Sequence, residues 1–433
     1  MVLRRVQRRS ATGGAPPSLP VAPGGSIAGV ATTGRVLSSP WLAALYSAAV
    51  STVLVCALGR ALGPEGFGTY SYAISWAVIW AVVQDGGFRT LLFREGVVAT
   101  EAAPHPPDTL MGLALGHVAS ATLLGLAATG LIPSRDRAAL VAAVGCLGLT
   151  AVGGLVSARL KAAGEFRAEA AWQASARSLT AACVIAVLLL PNASPSRVLL
   201  GMAAGLVLAL GLPTPRRQLR WPRFAWHADV YRSCAALLAI DAASAVYFRI
   251  DMVVLRHLAP SAAEVGLYAA AHRFVEAAAL LAVPAAQVGF RALRLRCQQP
   301  RRFRQLLVGM LAAMLVAAAG AAFAGRVLAE PALRLAFGPE FTAASRPLVW
   351  LLASLLFMLP NAILTQGMIA INRERAYARS AIVAAVVSCA LNLWLVPLHG
   401  AVGAAWAALA TEACLCVQLV AVLWRWVPAE ARS

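Results

Sequence analysis

Two short stretches, LGRALGPEGFGTYSYA at residues 58–73 and LRHLAPSAAEVGLYAA at residues 255–270, decide how the chain is interpreted. Each is a polar turn between two apolar runs, and the Gly-x-Tyr triplets that begin at Gly68 and Gly266 match at an offset of 198. The Gly-Phe-Arg triplets that begin at Gly87 and Gly289 match at 202. Since the matches fall in polar turns, they favour two similar halves over chance similarity between apolar segments.

The composition around these turns is that of a membrane protein. Of the 433 residues 60% are hydrophobic and 13% are charged, and the mean hydropathy is +0.73. A soluble domain carries roughly 25% charged residues, which a water-facing surface needs and lipid does not. Twelve apolar spans follow, each near the length of about 20 helical residues that a bilayer needs; they lie at about 36–58, 66–84, 109–132, 138–158, 171–190, 196–213, 233–257, 265–288, 305–328, 343–366, 377–396 and 401–425.

Basic residues sort to one side of this arrangement. The chain has 37 Lys and Arg, and the loops on the side opposite the N-terminus hold only eight of them. The clusters at 216–223 and 291–304 fall on the side of the N-terminus, and cytoplasmic loops are the ones enriched in Lys and Arg. We therefore expect both termini in the cytoplasm of a bacterium, at its plasma membrane. Topology explains the net charge of +19, so no nucleic-acid partner is expected.

Six spans in each half make the repeat a parallel one, because an even number returns the chain to the side it entered from. The sequence predicts an all-α polytopic membrane protein with about twelve transmembrane helices in two six-helix lobes, related by a pseudo-two-fold axis along the membrane normal. The expected divisions are a disordered basic cytoplasmic tail at 1–35, the first lobe at 36–213, a cytoplasmic linker at 214–232, the second lobe at 233–425 and a cytoplasmic tail at 426–433.

The turn sequences also resemble a known family. ALGRALGPEGFGTYSYA at 57–73, YFRIDMVVLRHLAPSAAEVGLYAAAHRF at 247–274 and LNLWLVPLHGAVGAAWAALATE at 391–412 resemble segments of bacterial oligosaccharide flippases of the Wzx and polysaccharide-biosynthesis type. The resemblance covers about 40–425. It implies the fold of the multidrug/oligosaccharidyl-lipid/polysaccharide exporter superfamily, and movement of a lipid-diphosphate-linked glycan from the inner to the outer leaflet by alternating access.

Few ionisable residues lie inside the spans, and those of spans seven and eight form the candidate binding site: Arg249, Arg273, Asp251, Glu276 and Asp241. A charge at the bilayer centre costs ~2.5–3.5 kcal/mol on insertion scales, so each should face a partner or a wet cavity. Arg273 and Glu276, three residues apart, share a helix face and can pair. Arg249 and Asp251 point ~200° apart and need different partners. Guanidinium groups match phosphate oxygens in pairs, so the arginines are expected to attract the diphosphate. The alternative is a set of structural ion pairs.

In the first half, Tyr72, Trp76 and Trp80 recur every four residues and form one stripe. Such a stripe could stack on sugar rings, and helix packing or lipid contact is the alternative that the spacing favours.

The sequence offers no sign of an enzyme. It has no Gly-rich phosphate loop, no nucleophile elbow and no His or Cys at metal-ligand spacing, so we expect no catalytic residues, no metal and no cofactor. A cation-coupled multidrug extruder of the same superfamily is the main alternative, and a membrane glycosyltransferase or polysaccharide polymerase is a weaker one. Coupling to a cation or a proton is left open. The expected partners are the lipid bilayer, a lipid-diphosphate-linked glycan and, as candidates, glycan assembly enzymes.

Overall fold

The computed structural model describes residues 28–97, 106–131, 136–225, 227–279 and 282–430. All regular structure in these ranges is helical, so the prediction of an all-α polytopic membrane protein is confirmed. The helices are α1 Ala28–Asp85, α2 Phe88–Val97, α3 Pro107–Leu131, α4 Arg137–Ala162, α5 Phe166–Leu188, α6 Pro195–Leu210, α7 Pro213–Gln218, α8 Ala228–Leu258, α9 Ala263–Ala279, α10 Ala282–Arg294, α11 Pro300–Phe337, α12 Ser345–Ala370 and α13 Glu374–Glu430, with a 3₁₀ turn at Pro339–Ala344.

The two longest helices are each two spans joined at a glycine. Gly63 divides α1 with φ 65° and ψ 177°, and Gly400 divides α13 with φ 54° and ψ −133°. Side chains other than hydrogen rarely allow these backbone angles, so a glycine is needed at both corners. The two corners separate the first span from the second and the eleventh from the twelfth, as predicted.

All twelve predicted spans correspond to helices, and seven helical segments of the described chain are long and apolar enough to cross a membrane by themselves. Two of the seven contain the glycine corners and account for four spans. The seventh predicted span corresponds to α8. The eighth, predicted at 265–288, corresponds to α9 and α10, which flank residues 280–281 outside the described ranges.

The ends of the chain differ from the prediction of a tail at 1–35. Within the described residues α1 begins at Ala28, inside that tail, and it runs through Pro40. Residues 1–27 lie outside the described residues. Helix α13 likewise continues to Glu430, so much of the segment predicted as a tail at 426–433 is helical.

Alternate loops meet at opposite ends of the molecule. At one end, Arg159 pairs with Asp108 and donates to the carbonyl of Gln218, and Arg294 donates to the carbonyl of Ala370 at 2.6 Å. We call this the arginine-rich end, because the clusters at 216–223 and 291–304 lie there. At the other end, the two lobes touch through Arg256, which pairs with Asp136 at 2.7 Å. The alternation of loops expected from twelve spans is therefore present.

The apolar core joins the lobes at one end only. At the end that contains Arg256, a single buried cluster takes in residues of both lobes, including Phe67, Tyr268 and Phe337. Phe67 and Phe337 lie 5.6 Å apart between ring centroids. At the arginine-rich end the core divides into a first-lobe cluster, which includes the first turns of α8, and a separate second-lobe cluster. We call the joined end the sealed end. Where the cores of the lobes separate, a cavity lies between them.

Large apolar side chains cover the outside of the helices. On α11, Val316, Phe323 and Leu335 are more than 70% exposed. Burial of such a face in lipid needs no protein partner, which explains why α11 is long and apolar yet packs mainly against α12.

Candidate functional site

A cavity of about 840 Å³ lies between the two lobes. Its first-lobe wall comes from α1 and carries neutral side chains, among them Ser51, Thr52 and Cys56. Its second-lobe wall comes mainly from α8 and α9 and carries all of its ionisable side chains other than Cys56: Arg249, His272, Arg273 and Glu276. The two walls of the cavity therefore differ in charge, and only the second-lobe wall carries arginine and glutamate.

The charged groups converge on Glu276. Arg273 Nη1 donates to Glu276 Oε2 at 2.6 Å, and Arg249 Nη2 lies 3.4 Å from Glu276 Oε1. His272 Nδ1 lies 3.4 Å from the same Oε1 atom. We call these four residues the cavity cluster. Two permanent cations share one carboxylate, which leaves an excess of positive charge with guanidinium N–H groups free to bind a second anion.

Helix geometry explains how the cluster assembles. His272 and Arg273 lie four and three residues before Glu276 on α9, so all three project from one face of that helix. Arg249 comes from α8, which joins α9 through the turn at 259–262. The side chains of Arg249, Arg273 and Glu276 are 23%, 29% and 33% exposed, so they face the cavity rather than the protein interior.

The two aspartates named with this cluster lie elsewhere. Asp251 is buried inside the second lobe, where its carboxylate accepts hydrogen bonds from Tyr268 Oη at 2.6 Å and from the backbone N–H of Met252 at 2.7 Å. Asp241, two turns before Arg249 on α8, does not line the cavity. The structure thus brings together three of the five residues that the sequence proposed.

The aromatic stripe of the first lobe lies outside the cavity lining. Tyr72 is buried, and its hydroxyl lies 3.1 Å from Nε2 of His257 in the second lobe. Trp76 and Trp80 stack with ring centroids 6.1 Å apart, and Trp80 Nε1 donates to the carbonyl of Ala121 at 3.0 Å. Each of these contacts is a packing contact, and stacking of the stripe on sugar rings remains a prediction.

Sequence reasoning missed His272, and it found Glu412 as a hydrogen-bonded packing residue without its partners in a polar cluster of the second lobe. The spacing of four between His272 and Glu276 was a signal that could have found the histidine. In the polar cluster, Glu412 accepts hydrogen bonds from Tyr247 Oη at 2.6 Å and from Asn361 Nδ2 at 2.7 Å. No local pattern links these three residues, because they lie on three helices far apart in the sequence.

Comparisons with known proteins agree with this architecture. The family model described as polysaccharide biosynthesis protein matches residues 37–290, more than half of the chain. A search of curated proteins by sequence gave no match.

Three solved structures share the fold. A structure described as the lipid II flippase MurJ in an inward closed conformation matches with a TM-score of 0.72 and 13% identity, over 88% of this chain and 86% of that chain. An inward-facing multidrug resistance MATE family transporter of the MOP superfamily gives 0.67 and 10%, over 92% and 98%. An outward-facing MATE family transporter gives 0.58 and 11%, over 92% and 97%.

Proposed function

Because this chain belongs to the polysaccharide biosynthesis protein family, we propose that it flips a lipid-diphosphate-linked oligosaccharide or a related polysaccharide precursor across the membrane. The chain is a multi-pass membrane protein with the fold of the MOP transporter superfamily. Beyond the family and the fold, we propose the cargo, the direction of its transport and the residues that bind it.

The cavity cluster is the observation that carries the proposal. Arg249 and Arg273 reach the same carboxylate from two helices, so their guanidinium groups are close enough to bind one diphosphate together. A diphosphate offers several anionic oxygens, and guanidinium groups bind such oxygens in pairs. In the absence of cargo, Glu276 supplies the anion that keeps both arginines in place. The cargo phosphates then compete with Glu276 for the same N–H groups.

The arrangement of the lobes supplies a route. We take the arginine-rich end to be cytoplasmic, from the distribution of Lys and Arg. The sealed end then faces outward, and the cavity lies where the cores of the lobes separate toward the inner leaflet. Rocking of the lobes about the cavity would expose it to the other side, as in transporters built from two repeats. In this proposal the protein resides in the plasma membrane of a bacterium.

An extruder of cationic drugs is the alternative within the superfamily, and the charge of the cavity argues against it. Two arginines and one glutamate leave the lining with an excess positive charge, and the first-lobe wall contributes no acid. A cationic drug would be repelled from such a site, whereas an anionic diphosphate would be attracted.

Binding of a polyprenyl diphosphate to the purified full chain tests the proposal. A hydrogen bond to a charged group contributes about 1.5–3 kcal/mol, so Arg249→Gln or Arg273→Gln should weaken binding about 10- to 100-fold. Lysine at either position should restore part of the loss, because a point charge lacks the two-pronged geometry. Arg326→Gln is the matched control, since Arg326 is exposed on α11 and does not line the cavity. Unchanged affinity in the Arg249→Gln, Arg273→Gln double variant would contradict the proposal.

A further variant separates cargo binding from a purely structural ion pair. If Arg273 only pairs with Glu276, the Arg273→Gln, Glu276→Gln double variant should regain most of the stability that Arg273→Gln alone loses, and it should transport normally. If Arg273 binds the diphosphate, the double variant should fold at normal abundance and still bind cargo weakly. Full glycan export by this double variant would exclude Arg273 as a binding residue.

A further inference from the structure

The segment that joins the two lobes, residues 211–225, has an unusual surface. It contains four arginines, and no acidic residue lies between Leu212 and Ala228. Trp221 is 90% exposed and Phe224 is 72% exposed. Two large exposed aromatic side chains beside arginines favour an apolar and anionic neighbour.

This segment is fixed to the first lobe. The backbone N–H of Arg223 donates to the carbonyl of Gly112 at 2.8 Å, and Arg220 Nε lies 3.1 Å from Asp108 Oδ2. A Cβ atom at Gly116 would lie 2.2 Å from the carbonyl oxygen of Arg223, so the segment packs directly on the backbone of α3. The exposure of Trp221 and Phe224 is therefore a property of a docked segment.

The four arginines divide into two pairs with different surroundings. Arg220 and Arg223 hold the segment in place through Asp108 and through Thr109 Oγ1, which lies 3.3 Å from Arg223 Nη1. Arg216 and Arg217 are exposed, and in the part of the chain that the structure describes they form no ion pair. Their guanidinium groups are thus available to a ligand outside the protein.

We propose that residues 211–225 bind the headgroups of anionic phospholipids at the membrane surface, through Arg216 and Arg217, while Trp221 and Phe224 lie at the bilayer interface. The segment connects α6 to α8, both predicted from the sequence to be membrane spans, so the neighbour always within reach is the bilayer. Tryptophan favours the headgroup level, and guanidinium groups bind phosphate oxygens. This attachment would hold the first lobe at the surface while the second lobe moves.

Quenching of tryptophan fluorescence by brominated lipids tests this in the full chain. The protein is placed in phosphatidylcholine vesicles that contain a minor fraction of either brominated phosphatidylglycerol or brominated phosphatidylcholine. The chain has 11 tryptophans, so the signal of Trp221 is the difference between each protein and its Trp221→Phe counterpart. We expect stronger quenching of Trp221 by the brominated phosphatidylglycerol.

The Arg216→Gln, Arg217→Gln variant should lose that preference, since each arginine near an anionic surface strengthens the attraction to it about 5-fold. Arg301→Gln, Arg302→Gln is the matched control, because it removes two exposed arginines at the same end but in the second lobe. Quenching that does not depend on the headgroup would overturn the proposal. The absence of any quenching of Trp221, as expected if a protein partner covers the segment, would also overturn it. An equal loss of preference in the control variant would do the same.

Discussion

At the scale of single residues, charged side chains that look alike in the sequence have different surroundings in the structure. Glu276 and Asp251 both lie in the spans of the second lobe and were proposed together. Glu276 faces the cavity with two arginines and a histidine as partners, whereas Asp251 is buried and accepts hydrogen bonds from Tyr268 and from the backbone of Met252. Only Glu276 is therefore part of our account of cargo binding.

The pairing of Asp251 with Tyr268 can be tested by removing one hydroxyl group. Tyr268→Phe leaves a buried carboxylate oxygen without its donor, which should destabilise the protein by about 1–3 kcal/mol. Cargo affinity should stay unchanged, because neither residue lines the cavity between the lobes. Thermal unfolding and polyprenyl diphosphate binding measure the two effects. Weakened binding at unchanged stability would place Asp251 back in the site.

Sequence reasoning found the charged residues of this site but not their partners. Spacing along one helix predicted the pair of Arg273 with Glu276 and would also have found His272. It could not assign Arg249 to Glu276 or Asp251 to Tyr268, since each of those contacts depends on how α8 and α9 rotate against each other. Helix periodicity fixes the relative angle of residues on one helix and leaves that rotation undetermined.

At the scale of helices, the sealed end depends on a close crossing of α1 and α9. A Cβ atom at Gly266 would lie 1.8 Å from the carbonyl oxygen of Pro64, and one at Gly68 would lie 2.8 Å from the backbone nitrogen of Gly266. The two glycines are the same pair that marks the repeat in the sequence. Their repetition therefore reflects a contact between the two halves as well as a turn.

Gly266→Ala should force α1 and α9 apart at the sealed end. We expect faster hydrogen–deuterium exchange in residues 58–73 and 255–270, and slower transport, because the lobes can no longer close on that side. Gly320→Ala is the control, since a Cβ atom at Gly320 on α11 would meet nothing within 4 Å. Equal exchange in the two variants would show that the crossing does not hold the lobes together.

The helices themselves were largely predictable, because length and hydropathy decide what can cross a bilayer. All twelve predicted spans correspond to helices, whereas the positions of the glycine corners come from the structure. The helical residues 28–35 of α1 did not follow, since a tail was predicted there. Apolar sequence permits a helix without specifying how far it extends.

At the scale of the whole molecule, the lobes are held at one end by an ion pair in addition to apolar packing. Arg256 reaches Asp136 through two hydrogen bonds of 2.7 and 2.8 Å, and both side chains are mostly buried. Replacing both with neutral residues, as Asp136→Asn with Arg256→Gln, should shift the equilibrium toward opening of the sealed end.

Cys56, which lines the cavity, reports on that opening. A membrane-impermeant maleimide added from the side of the sealed end should leave Cys56 of the wild-type protein unmodified and should label it in the Asp136→Asn, Arg256→Gln variant. Adding Cys56→Ser to that variant shows how much of the labelling comes from Cys56. Labelling that is equal in the wild-type protein and the variant would mean that the ion pair does not close the cavity.

Transport of a lipid-diphosphate-linked oligosaccharide by the full chain in proteoliposomes tests the central claim most directly. Our account predicts movement of the lipid between leaflets by the wild-type protein and by Arg326→Gln, and none by the Arg249→Gln, Arg273→Gln variant at equal abundance. Wild-type rates in that double variant, or no lipid transport by a folded wild-type protein that instead moves cationic drugs, would contradict it.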